Sequence, residues 1–567
     1  MNTKIVLTLS ILLGSIIAQV EMNYSYEMKY GKGKEVRGQA SSNPYTTDYL
    51  YFENLLDINT YFGDKIYTFT QLEYSNPPIY GYDRDGLDSM LTTFYIEYSH
   101  DRYNLKLGDL YELYGRGLSF YTFQNQNVDY DNSIKGLTTN YFLKENLTVS
   151  TLLGTGGYSF RSNPANRKTN PEYQFDANTI LGSINYDNDL LGYFQAIYLT
   201  HTSFLPSDLI SKIYIDRYNE IGEELNLRCA SEVCLNTDIS DTIDTKNYNL
   251  NWNIIRGSFD IYIDNSWIYY NKIYGNKVFG SRFYTSIYTE LLGIGITYEY
   301  KNYNTPYLLK SISNPPIVYR EGNSILASRN SHSINFGNEI GHQFDFNKNI
   351  NGNLNILGNL SISHRHQKNN MLNIEIADYL FMKDKDAVYD YYPFRQAYLE
   401  MNGWALSERL YYKVGLDRFI EFVILIGNDS KHTYATTIPT QWMWKLTNGS
   451  SLTLYMETQR KIVKQLSPQL SSDDYMLSNE AQYTNNYLSL SYSHMGKWIA
   501  TSFYDQEIKD SKTNQWIGTD LSYKISSETQ VSLFYGSQKG GLVCANGICA
   551  EQPGFEDGYK ITFRSLF

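Results

Sequence analysis

Six ionisable residues crowd one stretch of the chain between Gly108 and Gly136: Asp109, Glu112, Arg116, Asp129, Asp131 and Lys135. Carboxylates, a guanidinium and an amine this close in sequence can form charge-assisted hydrogen bonds and exchange partners. Three glycines, Gly108, Gly115 and Gly117, break the same stretch. Glycine inside a strand pattern predicts a bend or bulge where backbone meets backbone. The expectation is a polar cluster facing an interior, as a structural ion-pair network or as a binding or gating site. Asp83, Asp85 and Asp88 surround Gly86 like a shortened calcium loop without its distal Glu, and an ordinary Asp-Gly turn accounts for them. His364 and His366 share a face if they lie on a strand, but no carboxylate or cysteine nearby completes a metal site. No HExxH, GxSxG or phosphate-binding loop occurs. The sequence therefore names no catalytic residue, metal or cofactor, and a lipid- or glycan-modifying hydrolase is an alternative with no motif behind it.

Four cysteines form two close pairs, Cys229 with Cys234 and Cys544 with Cys549. In an exported chain, such pairs predict local disulfides. Asn546-Gly547 is a type I′ turn signal that makes Ala545 and Ile548 the hydrogen-bonded pair beside it. Cys544 and Cys549 then fall on the next, non-hydrogen-bonded pair, with Cα atoms ~4.5 Å apart, within disulfide range. So short a loop gains only about 2 kcal/mol from closure in the chain-entropy model. Its expected role is to stiffen an exposed hairpin tip. Export itself is expected from residues 1–18: Lys4 supplies a positive start, an apolar run follows from Ile5 to Ile17, and Ala18 suits cleavage before Gln19. The run is shorter than the ~20 residues a spanning helix needs.

The elements that must position these residues are strands. Val20, Met22, Tyr24, Tyr26, Met28 and Tyr30 alternate with Glu21, Asn23, Ser25, Glu27 and Lys29. A helix would scatter such a pattern around its circumference. The alternation recurs at Phe259–Asp264, Ile294–Tyr300, Leu452–Glu457, Leu488–Ser493 and Leu521–Ser526. On the order of 24 such segments, within a range of roughly 22–26, run along the whole chain, too many for an ordinary open sheet but within the range of known barrels. The 55 tyrosines suit a membrane–water boundary, and the 13 prolines are few enough to leave strand ladders intact. A formal charge of −12 argues against a nucleic-acid partner. Short links such as 144–146 and 185–189 alternate with long ones at 31–47, 163–176, 203–246, 305–330 and 536–557, as two unlike rims require. The 203–246 link has apolar spacing that suits a short helix.

The chain ends on Tyr559, Ile561, Phe563 and Phe567 along one strand face. This resembles the C-terminal signature of bacterial outer-membrane barrels, where the assembly machinery reads a terminal aromatic residue. The resemblance implies that the last strand ends at the periplasm and that the hairpin carrying Cys544 and Cys549 lies outside the cell. The stretches Gly108–Leu118, Asp129–Gly136 and Gly540–Cys549 also resemble an uncharacterised family of large outer-membrane proteins that carries G-D-x-Y-E-x-x-G-x-G-L, D-N-x-I-x-G and G-G-L-x-C…C motifs. Leu113 stands where that pattern has a polar residue, and the match is thin between Leu137 and Tyr535.

Together these features predict an all-β protein: residues 1–18 as a signal peptide, then residues 19–567 as a single large transmembrane antiparallel β-barrel of the bacterial outer membrane. Strand periodicity from Val20 leaves no room for an N-terminal plug. The favoured role is a porin-like or transport channel, with a weak cation preference if the acidic excess faces inward. The alternative is a non-conducting surface-binding or envelope-assembly barrel working through its long loops. Expected partners are outer-membrane lipid, the barrel-assembly machinery and an unidentified solute or surface ligand.

Overall fold

The computed structural model describes residues 20–37, 45–75, 90–126, 128, 130–156, 159–160, 176–204, 242–273, 276–305, 312–322, 324–366, 394–424, 430–468, 475–510, 512–545, 548–552 and 554–567. Twenty-four strands form one antiparallel sheet in which each strand pairs with its neighbours along the chain. The first strand, Val20–Arg37, pairs with the last, Phe555–Leu566, so the sheet closes on itself. The terminal residue completes the seam. Phe567 N–H donates to Tyr24 O at 2.8 Å, Tyr24 N–H donates back at 3.1 Å, and the two rings stack 4.7 Å apart. Closure removes the two free edges that an open 24-strand sheet would have.

Period-two alternation sorts side chains between the two faces of this wall. On the Thr242–Arg256 strand, Thr245, Asn247, Asn249 and Asn251 are buried inside, whereas Tyr248 and Leu250 are 45% and 53% exposed. The same division separates Glu400 from Leu399 and Met401, and Glu457 from Met456. Outward positions are apolar and inward ones polar, the reverse of a water-soluble barrel. Among the described residues no helix is long and apolar enough to cross a membrane.

The links sort by rim. Turns at 63–65, 101–102, 145–146 and 189–191 are short and lie at the rim that carries Val20 and Phe567. Links at the opposite rim range from two residues, at 274–275 and 510–511, to the long ones at 111–133 and 305–337. Two strands outrun their sequence expectation there: the 31–47 link shrinks because the first strand continues to Arg37 and the second, Tyr45–Phe62, starts early. Gly31 and Gly33, within that expected link, each lie beneath a ring. A Cβ on Gly31 would meet the Tyr51 ring at 2.2 Å, and one on Gly33 the Phe555 ring at 2.6 Å. They are glycines for packing rather than for turning.

The 203–246 link likewise contracts, since strands reach Phe204 and resume at Thr242. The short helix expected within it lies outside the described residues. So do Cys229 and Cys234, and with them the disulfide expected between these two cysteines. The Asp83–Asp88 loop lies outside them as well. The second cysteine pair is described. The 536–557 link holds a hairpin of Gly541–Ala545 against Ile548–Gln552, in register Ala545 to Ile548 and Cys544 to Cys549. Its first strand lies against the short helical turn Ala327–Arg329, so the hairpin leans over the barrel interior rather than standing clear of it.

Candidate functional site: a lumen crossed by two segments

Two links fold inward. Residues 111–133 connect the Tyr103–Leu110 and Ile134–Lys144 strands, and residues 305–337 connect Ile294–Asn304 and Asn338–Ile350. A polar wall offers nothing to hold such segments by burial alone, and the wall is locally changed where they dock. Leu152, Leu181, Ile197 and Leu199 point inward and cluster with Tyr114, Phe120 and Ile312. Phe394, Phe419 and Ala435 do the same for Tyr319, Ile334 and Phe336. Each large apolar side chain so covered contributes about 1.5–3 kcal/mol.

Glycine sets the course of the first segment. Gly115 and Gly117 have φ of +61° and +83°, in the left-handed region that costs other residues. Gly115 also touches the wall, for a Cβ there would sit 2.7 Å from Asp264 Oδ2. Its N–H donates to Gln195 Oε1 at 2.9 Å, and the next N–H, of Arg116, donates to Asp264 Oδ2 at 3.1 Å. The Arg116 guanidinium lies 4.5 Å above the Tyr262 ring and donates to Tyr284 OH at 3.2 Å. At its other end the segment reaches the Ile66–Ser75 strand, where Gln124 Nε2 donates to Gln71 Oε1 at 2.9 Å.

Charged wall residues hold the second segment. Glu457 Oε1 accepts Ser324 Oγ at 2.5 Å, Leu326 N–H at 2.9 Å and Ala327 N–H at 3.1 Å, which caps the Ala327–Arg329 turn. Arg329 then forms a two-pronged pair with Asp505, Nη1 to Oδ1 at 3.2 Å and Nη2 to Oδ2. His332 bridges two wall carboxylates, with Nδ1 2.8 Å from Glu421 and Nε2 3.2 Å from Glu339. Glu339 also pairs with the fully buried Lys301, whose amine donates to Ile317 O. Arg320 covers the Tyr398 ring at 3.9 Å. The two segments meet where Tyr121 N–H donates to Ile312 O at 2.8 Å, and Arg282 Nη1 donates to both Leu118 O and Ser313 Oγ at 2.9 Å. From Gln71 to Asp505, their contacts run around most of the circumference.

Burial tunes the ionisable groups these segments carry. It drives the His332 imidazole toward neutrality, but Glu339 and Glu421 outweigh it and raise the pKa above the ordinary histidine value, which favours the charged form of the bridge. Burial pushes the Tyr114 phenol up to about 12 and raises Glu112, the latter against the pull of Lys106.

The six residues singled out in sequence do not all gather at one point, although Lys135 stands opposite Asp109 in strand register and Asp131 lies near them. Asp109 stays on its strand and accepts Phe94 N–H at 2.7 Å. Asp131 accepts from Tyr111 OH at 2.9 Å, and Gln124 Nε2 is 3.3 Å away. Arg116 leaves both for Asp264, far along the chain. Glu112 contributes its backbone N–H to Thr122 Oγ1 at 2.9 Å. Lys135 is exposed on the next strand, and Asp129 lies outside the described residues. Of the four cysteines, Cys544 and Cys549 sit opposite each other on the hairpin, whereas Cys229 and Cys234 fall outside the described residues. Sequence reasoning missed most of the second segment's anchors. Glu457 was legible as an inward strand position; Arg329 and His332 carried no local signal. His364 and His366 are not a metal pair: His366 places its two ring nitrogens 2.8 and 2.9 Å from Asn338 and Asn302. Among the described residues no group of three or more His, Cys, Asp or Glu is placed to hold a metal.

Residues 4–184 match the model of a family of unknown function, DUF6029. That stretch takes in the whole 111–133 segment. No curated protein matches the chain. Among solved structures, the P pilus usher (PapC) translocation pore is 10% identical with a TM-score of 0.40, covering 97% of this chain and 99% of that one. The copper transporter OprC is 10% identical at 0.44, over 97% and 81%. A BenF-like porin from Pseudomonas fluorescens Pf-5 is 9% identical at 0.37, over 83% and 98%. At these identities and scores, the likeness assigns no cargo and no activity.

Proposed function

We propose that this chain is a porin-like transport barrel of the bacterial outer membrane whose lumen is closed at rest. The apolar outer face and polar inner face support a membrane setting, and barrels of 22 strands already enclose a lumen wide enough to need a plug. Here the plug comes from links internal to the chain. The observation that carries the reading is the mode of attachment at Glu421, Glu457 and Asp505. Ion pairs and hydrogen bonds there can be traded for water or solute when a segment moves, while the apolar clusters around Tyr114 and Phe336 seat the segments at rest. Three further elements complete the proposal. They are export through a cleaved signal at residues 1–18, assembly read from Tyr559, Ile561, Phe563 and Phe567, and two disulfides, one joining Cys229 and Cys234 and one joining Cys544 and Cys549.

Swelling of proteoliposomes in small neutral sugars tests it. Wild-type protein should admit solute slowly, and Glu457→Ala should admit it many times faster. Equal, negligible uptake by both, with correct folding shown by heat-dependent gel migration, would overturn the transport reading.

A further inference from the structure

The ion pairs of Arg329 and His332 put the cation on the segment and the carboxylate on the wall, while the wall cations Arg282 and Lys301 donate to segment carbonyls and to Ser313 Oγ. Arg329 sits two-pronged on Asp505. His332 lies between Glu339 and Glu421. Arg116 covers Tyr262 beside Asp264, and Arg320 covers Tyr398, whose hydroxyl donates to Glu400. Two of these guanidinium sites share a design, a ring face for the planar cation next to a carboxylate, which is how a protein recognises a guanidinium or alkylammonium ligand. The carboxylates belong to rigid strands, while the cations belong to links. Asp505 and Asp264 are 2% and 0% exposed with the segments in place, so departure of the segments uncovers two carboxylates that face the lumen. Bare carboxylates in such a setting bind cations strongly. Arg329 keeps a side-chain exposure of 21%, so an incoming group can reach the pair from the lumen.

Resting on the transport reading above, we infer that the solute class is cationic, of guanidinium or polyamine type, and that Arg116, Arg320 and Arg329 act as internal stand-ins for it. The plug is an intramolecular competitor. A solute carrying one or more such groups replaces Arg116 on the Tyr262 ring beside Asp264 and Arg329 on Asp505, and the same contacts that admit it release the segments. Anions meet the opposite field and gain nothing from displacement.

Two variants move the binding in opposite directions, which a merely structural role for these residues would not do. Binding of tetra-arginine and spermine to the detergent-solubilised full chain is measured by calorimetry, with tetra-aspartate as the size-matched control. Wild-type protein should bind the two cations and not tetra-aspartate. Arg329→Ala removes the competitor and should tighten tetra-arginine about tenfold, as an apparent affinity rises when the competent state becomes more populated. Asp505→Asn should weaken it by about tenfold or more. Binding of tetra-aspartate as tight as that of tetra-arginine, or weaker tetra-arginine binding in Arg329→Ala, overturns the inference. Its failure is separable from failure of transport: a barrel that conducts in bilayers but ignores cationic probes sinks only this proposal, and one that binds them but never conducts sinks the other.

Discussion

Replacing Glu457 by Ala should loosen the plug more than any other single change on the wall. One carboxylate oxygen takes Ser324 Oγ and the N–H groups of Leu326 and Ala327, and the other takes Tyr455 OH at 2.8 Å. Alanine leaves two backbone donors and two hydroxyls without that acceptor. A buried donor left unsatisfied costs about 1–3 kcal/mol. Hydroxyls can rotate to other partners and water enters the space left by the side chain, so the net loss should be about 3 kcal/mol for the two backbone groups. That corresponds to about a hundredfold rise in the open population. Hydrogen–deuterium exchange followed by mass spectrometry reads it directly on peptides covering residues 324–337, with peptides from the Thr242–Arg256 strand as the internal reference. Exchange in 324–337 should accelerate by about that factor while the strand stays protected. Unchanged protection of 324–337 would refute the capping argument, and loss of protection everywhere would show that Glu457 holds the barrel rather than the plug.

Other consequences are independent of that anchor. The raised pKa of His332 makes its contribution complete below the ordinary histidine value and lost as pH climbs through the raised one. Exchange of residues 331–337, corrected for its intrinsic pH dependence, should therefore quicken on the alkaline side, and His332→Gln should flatten that step; a flat wild-type profile contradicts the bridge. Gly115→Val places a β-branched residue at φ +61° with its Cβ 2.7 Å from Asp264 Oδ2, so the first segment should be expelled, seen as rapid proteolysis within residues 111–133 on a barrel of unchanged heat-dependent mobility. Cys544 and Cys549 face each other in register and should resist alkylation until reduced; labelling of both in the unreduced protein would rule out their disulfide. Deleting Phe567 removes two seam hydrogen bonds and the Tyr24 stack, and should sharply lower the amount assembled in membranes, whereas Phe567→Tyr should restore it.

The barrel was legible because its governing signal is local. A two-residue period separates Asn249 from Leu250 and Glu457 from Met456 whatever the rest of the chain does, and repetition of that period sets the strand number. Gly108, Gly115 and Gly117 were equally legible as places where backbone approaches something, and each does: a Cβ at Gly108 would meet Phe94 O at 2.2 Å. The partners were not legible. Arg116 lies only a few residues from Asp109 and Asp131, and nearness in sequence suggested nearness in space, but a segment that leaves its strands and crosses a lumen meets residues set by the barrel's circumference. Asp264 is 148 positions away, and Asp505 is 176 from Arg329. The 305–337 segment read as a polar outer loop because its inward anchors, Ser324, Arg329 and His332, are residue types that solvated loops also use. Only the apolar interruptions of the inner face, such as Leu199 and Phe419, hinted that something docks there.

Whether the infolded segments close the barrel is best decided by single-channel recording in planar bilayers. The wild-type chain is compared with one in which residues 314–331 are replaced by a Gly/Ser linker of equal length. Closed traces for the wild type and large, stable conductance steps for the replaced chain are the outcome expected of a lumen held shut by that segment. Equal conductance from the two chains would contradict it.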